Sequence, residues 1–278
     1  MILDGKKIKV EILENLKTIV STYPQKPSLV VIQVGNDEAS NVYINQKKKM
    51  CEYVGYTYKH IKLDDSIETE ELLNIIKDLN EDETVNGILV QMPLPSHINT
   101  ELIQNAVDCN KDVDGLNDIN AGRLTHNKNA LYPCTPYGVM ELLKKYDISV
   151  ESKNVVIVGR SNLVGKPLAS LMLNAGATVK VCHSKTIDLA SHTKEADILV
   201  VATGKPKLID DTMVRDGAIV IDVGITRTDS GLCGDVDFVK VKDKASYITP
   251  VPGGVGPMTV AMLAENTLKA FNLQNNNK

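Results

Sequence analysis

Ser40, Tyr43 and Lys47 stand three and four residues apart, a spacing that places all three on one face of a helix. Lys48 and Lys49 follow directly and point elsewhere. A lysine exchanges protons near neutral pH only when burial or neighbouring cations lower its pKa enough to make the free amine accessible. The run of three lysines supplies part of that, although such a run equally suits a solvated helix face. Two further segments carry polar groups of the right kind. Gln91 ends the apolar run Gly87-Ile88-Leu89-Val90 just before Met92-Pro93-Leu94-Pro95. Its amide therefore falls at the carboxyl edge of a sheet, where α/β proteins bind ligands. Asp112-Val113-Asp114-Gly115 reads as a tight acidic turn, and an aspartate there can accept paired donors from an amino-pyrimidine ring. The plainer alternative makes both aspartates turn formers and Gln91 a strand-ending polar residue.

A second group of residues suits phosphate. Gly159-Arg160-Ser161-Asn162-Leu163-Val164-Gly165-Lys166-Pro167 lies between an expected strand and an expected helix, where backbone amides and the helix dipole can hold a pyrophosphate. Ser161 replaces the second glycine of G-x-G-x-x-G, so a plain strand-to-helix turn fits the segment as well. The next strand closes with Cys182-His183-Ser184-Lys185 and lacks the acid that binds the ribose hydroxyls of NAD. A carboxylate there would repel a 2′-phosphate, whereas Arg160, Ser161, Ser184 and Lys185 could receive one by charge-assisted hydrogen bonds. The pattern favours NADP over NAD. Near the carboxyl terminus, Thr249-Pro250-Val251-Pro252-Gly253-Gly254-Val255-Gly256-Pro257-Met258-Thr259 combines stiff prolines with glycines that admit close backbone approach, and Pro257 suits a first helical turn.

The elements expected to position these groups alternate between helix and strand. Ile8, Ile12, Leu16 and Ile19 recur at helical spacing, and Ser28 to Val34 is a β-branched run. A helix over 37–53, a strand over 56–63, a helix over 68–80 and a strand over 87–91 continue the pattern. From Met92 to Pro136 the composition is rich in Pro, Asn, Asp and Gly and predicts loops rather than core. The alternation resumes with a strand over 155–158, a helix over 165–174 and strands over 178–182, 197–202 and 218–223, the outline of a doubly wound nucleotide-binding domain. A last helix is expected from Pro257 to about Phe271, with a frayed tail over 274–278.

The 278 residues, 43% of them hydrophobic, can bury a substantial core and suit two domains. Interspersed charges, 31 basic and 35 acidic for a net −4, leave no footprint for nucleic acid. No apolar run reaches membrane-spanning length and no secretory signal opens the chain. Cys51, Cys109, Cys134, Cys182 and Cys233 are scattered, without a C-x-x-C pair or nearby histidines, and read as buried thiols in a reducing cytoplasm rather than as metal ligands.

At these residues the chain resembles the methylenetetrahydrofolate dehydrogenase/methenyltetrahydrofolate cyclohydrolase family over nearly its whole length. The likeness is carried by 40–49, Gly87 to Pro95, Lys111 to Gly115, Gly122-Arg123-Leu124, Cys134-Thr135-Pro136, Val158 to Pro167, Cys182 to Thr186 and Pro250 to Thr259. The resemblance implies a folate-binding catalytic domain over 1–135 plus 257–278 and a Rossmann-like NADP domain over 136–256, the C-terminal helix returning to the first. It implies Lys47 as the catalytic lysine, Tyr43 stacked on the folate, Gln91 supporting Lys47 and Asp114 gripping the pterin. Ser40, Pro252, Gly253 and Gly254 would complete the substrate site. Gly159, Arg160, Ser161, Gly165, Lys166, Ser184, Thr203, Gly204, Gly224 and Ile225 would hold NADP. It also implies a cytoplasmic homodimer serving one-carbon metabolism. Asn117 stands where many bacterial members carry His, and Leu163 where Ile is common; neither change is expected to alter the chemistry. Dehydrogenase-only relatives lack the lysine, so its presence implies both activities. Two other readings share parts of the pattern: an NADP-dependent keto-acid dehydrogenase resembling shikimate dehydrogenase, and a dinucleotide sensor without turnover.

Overall fold

The computed structural model describes residues 1–229 and 231–275. The chain divides into two compact units, a first of Glu11–Cys134 with Val260–Lys278 and a second of Met1–Val10 with Thr135–Thr259. The elements of the first begin with helix α1 (Gly5–Ser21), whose opening residues belong to the second unit, and continue through β1 (Ser28–Val34), α2 (Glu38–Val54), β2 (Thr57–Leu63), α3 (Thr69–Glu81), β3 (Gly87–Val90), α4 (Thr100–Ala106) and α5 (Asp118–Thr125). The three strands pair in parallel in the order β2-β1-β3. Strand β1 is buried along its whole length, as its near-continuous apolar run requires of a central parallel strand. Edge strand β2 carries Lys59, His60 and Lys62, polar residues that protect an unpaired edge.

Helix α3 packs Leu72, Ile76 and Leu79 into a core with Val30, Ile32, Ile88, Val90 and Ile103, the i, i+4, i+7 stripe of an amphipathic helix. Helix α2 is bounded by chemistry visible in the sequence. The Asp37 carboxylate accepts from Ser40 N at 2.7 Å, and Gly55 terminates the helix in the left-handed region at φ 89°.

The stretch from Met92 to Pro136 departs from the loop expectation. It contains α4 and α5, and Ile103, Val113, Leu124 and Leu131 are core residues. The asparagines that suggested loops are helix caps: Asn99 accepts from Leu102 N at 3.0 Å and Asn117 from Ile119 N at 2.8 Å. Lys111 is buried, with Nζ donating to the carbonyls of Leu79, Asn80 and Asp82 at 3.1, 2.8 and 2.7 Å. It neutralises the negative end of α3 and fixes the start of the acidic turn, whose Lys111 carbonyl accepts from Ile88 N at 2.8 Å.

The second unit contains most of α6 (Cys134–Lys145), then β4 (Asn154–Val158), α7 (Gly165–Asn174), β5 (Thr178–Cys182), α8 (Leu189–Thr193), β6 (Ile198–Val201), β7 (Ile219–Asp222), the hairpin strands β8 (Thr226–Thr228) and β9 (Gly231–Cys233), α9 (Phe238–Val241), β10 (Tyr247–Ile248) and the start of α10 (Val255–Asn275). Five parallel strands form its sheet in the order β10-β7-β6-β4-β5, a doubly wound, Rossmann-like arrangement. At one edge Leu3 N donates to Ile248 O at 2.9 Å and Ile248 N to Met1 O at 3.0 Å. The compact units therefore differ from the expected domain ends, residues 1–10 packing with the second unit. The short elements α8, α9, β8, β9 and β10 were not anticipated; two to five residues are too few to display an apolar period.

Helix α10 leaves the second unit after Thr259 and its remainder belongs to the first, where Asn266 Nδ2 donates to Val113 O at 2.9 Å and Tyr132 O at 2.8 Å. Gln274 and Asn275, expected to fray, lie in this helix, and Gln274 Nε2 donates to Asn86 O at 2.8 Å. Asn276, Asn277 and Lys278 lie outside the described residues. Asn266→Ala would leave two buried carbonyls without this donor, a loss of about 1–3 kcal/mol. A lowered urea midpoint is expected; an unchanged midpoint would show that the clamp contributes nothing.

Candidate active site

Within the first unit, α2, the end of β3 and the acidic turn bring together Lys47, Gln91 and Asp114. Lys47 Nζ donates to Gln91 Oε1 at 2.7 Å, and Gln91 Nε2 donates to Met92 O at 2.6 Å. The second bond fixes which end of the amide faces the lysine, so Gln91 presents an acceptor to it. Gln91 is itself placed by its backbone N–H, which donates to Ile32 O at 2.8 Å as the last rung of the β1–β3 ladder. The Met92–Pro93 peptide bond is cis.

Burial lowers the Lys47 pKa below the ordinary lysine value, while the negative charge of Asp114 and the Cys134 thiol pull it back up. Asp114 is raised by burial and drawn down by the Lys47 cation and by a hydrogen bond with Cys134. Burial also lifts the Cys134 thiol well above its usual range. These three groups form one coupled cluster in which desolvation works against charge on each member.

The two aspartates of the turn separate in role. Asp112 is buried and accepts from Gly115 N, Asn117 N and Asn120 Nδ2 at 3.0, 2.9 and 3.0 Å. It holds the turn closed. Burial pushes its carboxyl up to about 6 against the pull of these donors. Ser40 is also engaged locally, its hydroxyl donating to Asp37 Oδ2 at 2.8 Å and, more weakly, to Met92 O at 3.3 Å. It ties the start of α2 to the segment after β3. Tyr43 is 47% exposed, an aromatic face open to stacking.

In the second unit, β4 is followed by Gly159, whose φ of 130° and approach to the chain just past β6, where an added Cβ would meet Ala202 O at 2.2 Å, leave room for glycine alone. Ser161 Oγ accepts from Val164 N at 3.1 Å, just ahead of the α7 N-terminus at Gly165. This hydroxyl steadies the turn ahead of the helix at the position where the fingerprint lacks glycine. Arg160, Lys166, Ser184 and Lys185 are exposed, available to an anion. Thr203 and Gly204 follow β6, and Gly224 and the half-exposed Ile225 follow β7; all four stand past the carboxyl ends of neighbouring parallel strands. Pro252, Gly253 and Gly254 lie in the turn before α10, with Gly253 O accepting from Lys6 N at 3.2 Å.

The sequence reading missed Lys111, Asn266 and the buried carboxylates Asp222 and Asp235, and gave Cys134 no role beyond that of a buried thiol. The signal for Lys111 was a cation directly before the acidic turn. Nothing local marks Asn266, whose partners are more than 130 residues away.

Residues 3–114 match the model for the catalytic domain of tetrahydrofolate dehydrogenase/cyclohydrolase, and residues 133–275 the model for its NAD(P)-binding domain. A bifunctional protein FolD from Nautilia profundicola is 53% identical over 274 residues, 97% of this chain and 96% of that protein. The crystal structure of the bifunctional methylenetetrahydrofolate dehydrogenase/cyclohydrolase FolD from Campylobacter jejuni has a TM-score of 0.96 at 48% identity, covering 100% of this chain and 99% of that one. The Trypanosoma brucei enzyme, solved with NADP cofactor and inhibitor, has a TM-score of 0.92 at 37% identity, covering 98% and 97%. The chain belongs to the tetrahydrofolate dehydrogenase/cyclohydrolase family.

Proposed function

We propose that this enzyme oxidises 5,10-methylenetetrahydrofolate with NADP and hydrolyses the resulting 5,10-methenyltetrahydrofolate to 10-formyltetrahydrofolate. The observation that carries this reading is the half-buried Lys47, paired with the buried Gln91 beside Asp114, in a chain matching bifunctional relatives over its length. Family membership sets aside the keto-acid alternative, and a complete lysine, glutamine and aspartate set argues against a sensor without turnover.

Asp114 would grip the pterin, Tyr43 would stack on it and Ser40 would border it. The second unit fits NADP: Gly159, Gly165 and Lys166 suit the pyrophosphate, while Arg160, Ser161 and Ser184 suit a 2′-phosphate, with no acid beside them. Thr203, Gly204, Gly224 and Ile225 would complete that site. NADP supplies the hydride acceptor, and the protein contributes orientation. In the hydrolytic step Lys47, as the free amine, accepts a proton from the water adding to the methenyl carbon. As ammonium it protonates the ring nitrogen when the carbon–nitrogen bond opens, and one proton is released overall. Gln91 Oε1 accepts an N–H from either form, so it holds the amine in place throughout. By function the folate domain would span 1–135 with 257–278 and the NADP domain 136–256, although residues 1–10 cluster with the second unit. A cytoplasmic homodimer supplying one-carbon units for purine, methionine and histidine synthesis completes the reading.

Lys47→Met should reduce methenyltetrahydrofolate hydrolysis by roughly a hundredfold or more while leaving measurable NADP-dependent oxidation; hydrolysis at the original rate would remove the role assigned to Lys47. The lowered lysine pKa makes the free amine more abundant as pH rises, so kcat for hydrolysis should climb with pH and level off before an ordinary lysine would titrate. Gln91→Glu places a negative charge against the amine, raises its pKa and should shift the rising limb to higher pH. A shift to lower pH would contradict the coupling. Arg160→Ala should raise KM for NADP by about tenfold, the equivalent of one charge-assisted hydrogen bond, and change KM for NAD little. Equal effects on both cofactors would show that Arg160 does not read the 2′-phosphate.

A further inference from the structure

Two buried carboxylates in the second unit take no part in the proposed chemistry, yet they stand directly behind the loops at the carboxyl edge of its sheet. Asp235 is fully buried. Its Oδ2 accepts from Thr203 N at 2.6 Å, Thr203 Oγ1 at 3.0 Å and Gly204 N at 2.9 Å. One oxygen thus holds the whole turn after β6. The other oxygen faces the turn after β7: a Cβ added to Gly224 would lie 2.2 Å from Asp235 Cγ and Oδ1. Only glycine at 224 permits that approach. Among the described residues, Asp235 Oδ1 has no hydrogen-bond partner.

Asp222 fixes this carboxylate in turn. Its Oδ1 accepts from Asp235 N at 2.9 Å and Gly224 N at 3.0 Å, and its Oδ2 from Val236 N at 2.9 Å. In the parallel register Val201 pairs with Asp222, so Thr203 and Gly224 lie side by side two residues beyond the ladder. Ligands of doubly wound sheets bind at this edge. Burying two adjacent carboxylates, one with an unpartnered oxygen, is costly, and apolar packing would stabilise a fold better. What the arrangement achieves is the fixed placement of two loops.

We propose that Asp235 is a positioning residue for cofactor binding, its one carboxylate setting the Thr203–Gly204 turn against the Gly224 turn so that together they receive NADP. This rests on the reading of the second unit as the NADP domain and names a residue on which its affinity depends.

The test is isothermal titration calorimetry of NADP against the full-length wild-type protein, Asp235→Ala and Asp235→Asn, with methenyltetrahydrofolate hydrolysis, which consumes no NADP, assayed in parallel. Asp235→Ala should weaken NADP binding by about tenfold or more, since three charge-assisted bonds are lost. Asp235→Asn keeps an acceptor without its charge and should fall between the two. KM for NADP should follow the dissociation constant, while hydrolysis stays within about twofold of wild type. A purely structural role would lower the melting temperature of both variants and leave the dissociation constant unchanged, and that result overturns the proposal. If Asp235→Ala does not fold, Asp235→Asn decides: wild-type affinity refutes the positioning role and weakened affinity supports it. Wild-type protein that binds no NADP would overturn the cofactor reading and this inference with it, whereas normal NADP binding without hydrolysis would count against the Lys47 mechanism alone.

Discussion

The hydrogen bond from Lys47 Nζ to Gln91 Oε1 joins a helix to the end of a strand, and the local structure on both sides follows from the need to hold it. A half-buried amine needs an acceptor to hold it in place, and if it is to exchange a proton near neutrality that acceptor cannot be a carboxylate in direct contact. Gln91 meets both conditions. It accepts a hydrogen bond without adding charge, and its own amide is locked onto the Met92 carbonyl. Strand β3 therefore ends where the amide is needed, and α2 begins at an aspartate cap that sets the direction in which Lys47 projects. Asp114 supplies the opposing charge more remotely, from a turn closed by Asp112 and tied down by Lys111 and Asn266.

The second unit solves a different problem with similar means. Its chain must present backbone amides and small residues at the ends of four parallel strands, and that demands loops that neither collapse nor wander. Glycine gives close approach at Gly159 and Gly224, and buried side chains replace the missing regular structure. The Asp222–Asp235 pair holds the turns after β6 and β7, while the exposed Ser161 hydroxyl accepts from Val164 N ahead of α7. In both units polar groups are buried next to the edge that carries chemistry, while the remainder of each core is aliphatic.

Much of this was legible in the sequence because it rests on local periodicity. The strands β1, β3, β4 and β5 and the helices α2, α3 and α7 carry clean patterns, α2 with a visible cap at Asp37, and Ser40, Tyr43 and Lys47 share a face by spacing alone. Spacing alone does not separate Asp114 from Asp112, since both fit an acidic turn; the resemblance picks out Asp114, and the donors around Asp112 give the two distinct roles. The region from Met92 to Pro136 was read as loop because asparagine serves both turns and helix caps. Residues 1–10, Lys111, Asn266 and Asp235 act through partners distant in sequence, and no local pattern announces such a partner. Resemblance to a family supplied roles that spacing could not, above all for Thr203, Gly204, Gly224 and Ile225.

Desolvation and a neutral acceptor hold Lys47 poised to lose its proton. Selective isotope labelling of lysine, with the Lys47 side-chain signal assigned by its loss in a variant, allows that signal to be followed by NMR through a pH titration of the full-length protein. The expected midpoint lies below the ordinary lysine value of about 10.4, in the direction that burial drives it. A midpoint at or above that value would mean that Asp114 outweighs desolvation, that Lys47 remains an ammonium under working conditions, and that the assigned proton transfer belongs to another group.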